Sequence, residues 1–140
     1  MRYWDASAIV PLLVHEPRTG DVRTALAKDA GIITWWGTRI ECTSAIARLE
    51  RAAALTPRQS AEAIEVLQTI AGGWNEILPA ESVRETACRL LRVHPLRAAD
   101  AMQLAAAIVM TGGRTANAGF MACDEKLRQA ASREGFRVGP

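Results

Sequence analysis

Lysine is almost missing from this chain: of 17 basic residues only Lys28 and Lys126 are Lys, and the rest are Arg. Arg presents a planar fork that suits phosphate oxygens, although a GC-rich coding sequence, to which the abundance of Ala also points, gives the same bias. Charge of one sign is scarce as well. The net charge is +2 and the pI near 8.6, which does not by itself mark a nucleic-acid binder. Histidine is reduced to His15 and His94, neither at a useful metal-ligand spacing. The three cysteines, Cys42, Cys88 and Cys123, are an odd number at no zinc spacing. That excludes a disulfide framework and predicts reduced, small core residues of a cytosolic protein.

Long apolar runs are lacking too. The stretch AMQLAAAIVM falls far short of the roughly 20 residues that span a bilayer. Asp5 and Pro11 interrupt the N-terminus, and no small-residue cleavage pattern follows an apolar run there. A soluble, cytoplasmic protein without membrane association is expected. With 140 residues, 49% apolar and 23% charged, the chain has the composition of an ordinary globular protein and is read as a single domain over 1–140. It shows no repeats, linkers or low-complexity segments.

What is present alternates between strand-like and helix-like segments. Met1 to Trp4 is a short strand, followed by a helical stretch to about His15 that Pro11 starts late or kinks. Thr19 to Asp29 has helical spacing, and GIITWW (Gly31 to Trp36) is a buried strand by composition. Trp35 and Trp36 are both read as core. Thr38-Arg39-Ile40-Glu41 has the form of a capping box and opens a helix to about Leu55. Thr56-Pro57 starts another helix, which ends at Gly72-Gly73. Glu76 to Leu78 is a brief strand. A helix then begins at Pro79, with Val83, Ala87, Leu90 and Leu91 on one face. Leu96 to Met110 is a helix whose only polar residues before its end are Arg97, Asp100 and Gln103. Gly119 to Cys123 is a strand, the next helix stops at Gly135, and Phe136 to Val138 is a last strand. Such alternation implies an α/β fold with a mostly parallel sheet covered on both faces.

Four carboxylates recur in the same kind of place. Asp5 and Asp124 follow predicted strands, and Glu41 and Asp100 lie in first turns of helices. In a parallel sheet these positions share one edge, where ligands bind. Each acid alone has a structural explanation, as an N-cap, a capping-box partner or a dipole complement. Asp100 is harder to explain that way, because its helix is apolar almost all round and a buried charge needs a partner. Arg97 alone cannot neutralise four carboxylates, and like charges resist simultaneous ionisation. A hard dication resolves the conflict, and oxygen-only ligands suit Mg²⁺ or Mn²⁺ over Zn²⁺. Such a site fits phosphodiester hydrolysis. Since Ser7 and Ser44 have no His partner, water is the expected nucleophile. Arg39, Arg48, Arg114 and Lys126 are candidates for phosphate contacts, with a solvated face as the simpler explanation for each.

Four segments, DASAIV, ECTSAIARLE, LRAADAMQLAAA and FMACDEKLRQAA, occur in an order and at separations that resemble the PIN-domain ribonucleases, and within them the VapC toxins of bacterial toxin–antitoxin pairs. The likeness covers the whole chain. It implies a three-layer α/β/α PIN-like domain around a mostly parallel sheet of four or five strands. It also implies metal-binding and catalytic roles for Asp5, Glu41, Asp100 and Asp124, with Ser7 and Arg97 in support. The implied activity is a Mg²⁺-dependent (or Mn²⁺-dependent) endoribonuclease, a homodimer that cleaves cellular RNA and is inhibited by a small VapB-like antitoxin. One departure stands out: relatives often carry Thr or Ser two residues before the last acid, where this chain has Ala122, so Asp124 is the least secure ligand. That departure motivates an alternative, a catalytically silent PIN-like domain that binds a partner protein or RNA. An aspartyl phosphatase is disfavoured because Ser7 stands where a second Asp is usual. A phosphoacceptor receiver domain is disfavoured because WNEILPAES has no Asp after the middle strand.

Overall fold

In the computed structural model, which describes residues 2–140, five short strands form one parallel sheet in the order β3-β2-β1-β4-β5. They are β1 (Arg2–Trp4), β2 (Ile33–Trp35), β3 (Asn75–Ile77), β4 (Gly119–Met121) and β5 (Arg137–Gly139). Met1, expected in the first strand, lies outside the described residues. The seven helices are α1 (Ala6–Leu13), α2 (Thr19–Lys28), α3 (Thr38–Arg51), α4 (Pro57–Ala71), α5 (Glu81–Val93), α6 (Ala98–Met110) and α7 (Glu125–Arg133).

Strand alternation sorts the core into two layers, because successive side chains point to opposite faces. Tyr3, Trp35 and Phe120 pack with Val83, Leu90, Leu104 and Leu127 from α5, α6 and α7. Trp4 and Met121 face the other way, against Ile9, Val22, Ile46 and Leu67 from α1 to α4. The result is the expected three-layer α/β/α arrangement. Strands pair parallel only when a crossover returns the chain to the same edge, so all strand C-termini share one end. Strand order reverses between β1 and β4, and a crevice opens at such a switch point.

Several local expectations need correction. The helix after β2 is not opened by a Thr38–Glu41 capping box: its N-cap is Gly37, with no side-chain cap bond. A Cβ on Gly37 would meet the Trp35 indole, so glycine is required there, and Thr38 is turned inward and fully buried. That helix ends at Arg51, before Leu55, because Ala53 turns left-handed at φ 55 and the N–H groups of Ala54 and Leu55 both bond the Leu49 carbonyl. The capping box occurs instead at α4, reciprocally between Thr56 and Gln59, with Pro57 at the first turn. Pro11 sits inside α1, which nevertheless starts at Ala6, directly after Asp5 and not late, and stops at Leu13, two residues before His15. Helices α5 and α6 each start two residues later than the pattern suggests, at Glu81 and Ala98. Trp36 is 48% and Leu91 42% exposed, so neither belongs to the core. Cys88 is exposed, whereas Cys42 is buried.

Candidate active site

The crevice at the switch point is a cavity of about 1060 Å³ lined by all four sequence-selected acids, together with Ser7, Arg48, Arg97 and Lys126. Each acid arrives by a different local device. Asp5 leaves β1 with an extended backbone and caps α1, its carboxylate accepting from the Ser7 N–H at 2.9 Å. Asp124 caps α7, accepting from the Leu127 N–H at 2.8 Å. Glu41 and Asp100 lie in the first turns of α3 and α6. Both caps were possible from sequence; capping fixes these carboxylates at the mouth without removing them from the cavity.

Ser7 links the two ends of the chain. Its hydroxyl donates to the Asp5 carboxylate and accepts the backbone N–H groups of Cys123 at 2.9 Å and Asp124 at 3.2 Å. The Asp5 N–H bonds the Met121 carbonyl at 2.9 Å. The turn that carries Asp124 is therefore seated on the turn that carries Asp5. Ala122, the departure from the family pattern, is wholly buried in the core and pairs its N–H with the Gly139 carbonyl at 3.0 Å.

The electrostatics are unbalanced. Asp5, only 4% exposed, has its carboxyl pushed up to about 6, chiefly by burial; Ser7 hydrogen bonds oppose the rise and Asp100 adds to it. Glu41 is pushed up to about 7 by burial and then by Asp5, against a hydrogen bond from Gln103. Asp100 is raised by burial and by Asp124, partly offset by Arg97 and Lys126. Burial, followed by Asp5 and Glu41, also drives the Cys42 thiol up to about 12. Among the described residues no Arg, Lys or His forms an ion pair with any of the four acids. Arg48 and Lys126 reach the cavity, whereas Arg39 lines a neighbouring groove and Arg114 lines neither. No three described His, Cys, Asp or Glu side chains stand in a ready ligand cluster, so the acids share a cavity without forming a closed cage. Their chemistry nevertheless fits a hard dication: oxygen donors only, mutually repelling and short of cations.

Sequence reasoning overlooked Gln103. It is fully buried, and its amide nitrogen donates to Glu41 Oε1 and Thr38 Oγ1, both at 2.9 Å, while its Oε1 accepts from the Tyr3 hydroxyl at 2.6 Å. The available signal was its position three residues after Asp100 on an otherwise apolar helix, where i and i+3 share a face.

An acidic crevice, with no ion-paired cation among the described residues, thus lies at the switch point of a parallel α/β sheet. The family model for the PIN domain matches residues 2–132, and the chain belongs to that family. PIN domains are generally nucleases and typically use a divalent metal. A search of curated proteins finds no match.

Proposed function

We propose that this protein is a metal-dependent endoribonuclease, the toxin of a VapC-type toxin–antitoxin pair. One observation supports the reading most strongly: four carboxylates from four distant segments line a single cavity, two of them pushed up to about 6 and about 7, and among the described residues no cation is paired to any. Asp5, Glu41, Asp100 and Asp124 would hold Mg²⁺ or Mn²⁺. Such an ion, when held by these acids, would supply Lewis acidity to a phosphate ester and to water. The chain's own residues do the rest. Arg48, Arg97 and Lys126 offer cations to an incoming phosphate backbone, Arg in a bidentate fork. Ser7 ties Asp5 to the backbone of Asp124, so that the two acids keep their spacing. Among the described residues no His lines the cavity with Ser7 and Ser44, which leaves water as the nucleophile.

The homodimer and the VapB-like antitoxin enter through the family resemblance. Trp36 and Ile40, 48% and 62% exposed, share a groove beside the cleft, and exposed apolar surface of this kind supports self-association. The decisive experiment incubates purified protein with a mixed RNA pool in Mg²⁺, in Mn²⁺ and in chelator, and maps the cut ends. Cleavage in either metal, none in chelator, and none by Asp100→Asn is expected. Wild-type rates from Asp100→Asn would remove the assignment.

A further inference from the structure

A chain of buried hydrogen bonds runs from the sheet to Glu41, and its direction can be read from donor and acceptor chemistry alone. It ends on the Trp4 carbonyl, which only accepts. The Thr34 hydroxyl lies 2.7 Å from that carbonyl and 2.7 Å from the Thr38 hydroxyl. Thr34 has one proton and gives it to the carbonyl, so the proton between the two threonines belongs to Thr38. Thr38 must then accept from its other neighbour, and the Gln103 atom facing it at 2.9 Å is the amide nitrogen. The amide oxygen consequently faces Tyr3, whose hydroxyl donates at 2.6 Å. Only one orientation of the amide satisfies every member, and it turns the second N–H onto Glu41 Oε1 at 2.9 Å. Thr34, Thr38, Tyr3 and Gln103 are all fully buried, where water cannot replace a missing hydrogen-bond partner. Reversing the amide would put oxygen against both Glu41 and Thr38 and strand two acceptors.

We propose that Gln103 is the positioning residue for Glu41, its amide locked by Tyr3 and the Thr38–Thr34–Trp4 chain so that it presents only a donor to that carboxylate. The device holds Glu41 as an acceptor aimed at the cavity and keeps its rotamer from relaxing away from the neighbouring acids. A Glu at 103 would set a second carboxyl against the first, and an apolar residue would release Glu41. The inference rests on the nuclease reading only for its consequence in catalysis; the locked amide and its effect on cation affinity do not depend on RNA cleavage.

The test compares wild type, Gln103→Leu, Tyr3→Phe, Glu41→Gln and the Gln103→Leu/Glu41→Gln double variant, each shown folded by far-UV circular dichroism. Mn²⁺ titration by calorimetry reads cation affinity directly. Gln103→Leu is expected to weaken it by about 10–100-fold, the usual effect of losing a group that orients a ligand. Tyr3→Phe, which keeps the packing and unlocks the amide, should weaken it to a lesser degree. In the Glu41→Gln background Gln103→Leu should change little, because its effect passes through Glu41. In ¹⁵N-resolved spectra the Gln103 side-chain amide should be protected from exchange in wild type and lose that protection in Tyr3→Phe. If RNA is cleaved, kcat falls in Gln103→Leu while KM for RNA stays put. Unchanged Mn²⁺ affinity in folded Gln103→Leu, or full additivity with Glu41→Gln, would overturn the proposal. Absence of cleavage by the wild type, with the affinity pattern intact, would overturn the nuclease reading alone.

Discussion

Asp5 carries two demands that conflict. Its carboxylate caps α1 and contacts Ser7, which favours a polar, oxygen-bearing side chain, yet its burial in the cavity lining raises its pKa to about 6. A carboxyl whose folded pKa lies above its ordinary value binds protons more tightly when folded, so ionising it destabilises the fold. Asn caps as well as Asp and carries no charge. In chelator at pH 8, Asp5→Asn should therefore be more stable than wild type, by up to about 3 kcal/mol for a shift near two units, as read by urea unfolding. The same variant should lose RNA cleavage. Lower stability in chelator would show that the cap, not the charge, governs the site.

At the scale of elements, the helices are held by features of different strength. Helix α4 has a reciprocal cap between Thr56 and Gln59, and Thr56→Ala should cost about 1 kcal/mol, seen as a lower urea midpoint with unchanged m. Thr56 is not among the residues that line the acidic cavity, so Mn²⁺ affinity should not move. The ends of α5 and α7 are tied through Glu134, which accepts from Arg89 at 2.8 Å and from His94 Nε2 at 2.8 Å. Arg89 holds the Glu134 carboxyl below its usual range. Stability from this tie is present above the ordinary Glu pKa of about 4.3 and is lost as pH falls through the depressed value. Glu134→Gln should remove that acid-side dependence, measurable as a flatter stability profile below pH 4.5.

For the whole molecule, the raised carboxyls dominate in the other direction. Asp5, Glu41 and Asp100 all bind protons more tightly in the fold than in the open chain. Metal-free protein should thus lose stability as pH rises from about 4 to 7, since the native state holds the excess protons throughout that window. Saturating Mn²⁺ should reverse the trend, because a cation bound only by the folded state stabilises it, by about 2.7 kcal/mol at 100 times its dissociation constant. Thermal scans across pH with and without metal measure both arms. A metal-independent profile would instead favour the catalytically silent alternative that Ala122 raised.

Position along the chain and hydropathy were enough to show that strands alternate with helices, that Asp5 and Asp124 follow strands, and that Glu41 and Asp100 open helices. These are local facts, set by side-chain period and by what a helix N-terminus accepts. The Thr56 cap was legible for the same reason, being complete within four residues. Thr38 misled because a capping-box pattern says nothing about Gly37 packing against Trp35 or about a buried partner 65 residues away. Gln103 was visible as a polar residue on an apolar helix, but its purpose required Tyr3 and Glu41 to arrive beside it from other segments. Strand order was decided only in three dimensions, and with it the switch point that makes four separated acids neighbours. Charge repulsion, desolvation and the direction of a hydrogen-bond chain depend on distance through space, and a sequence supplies only distance along the chain.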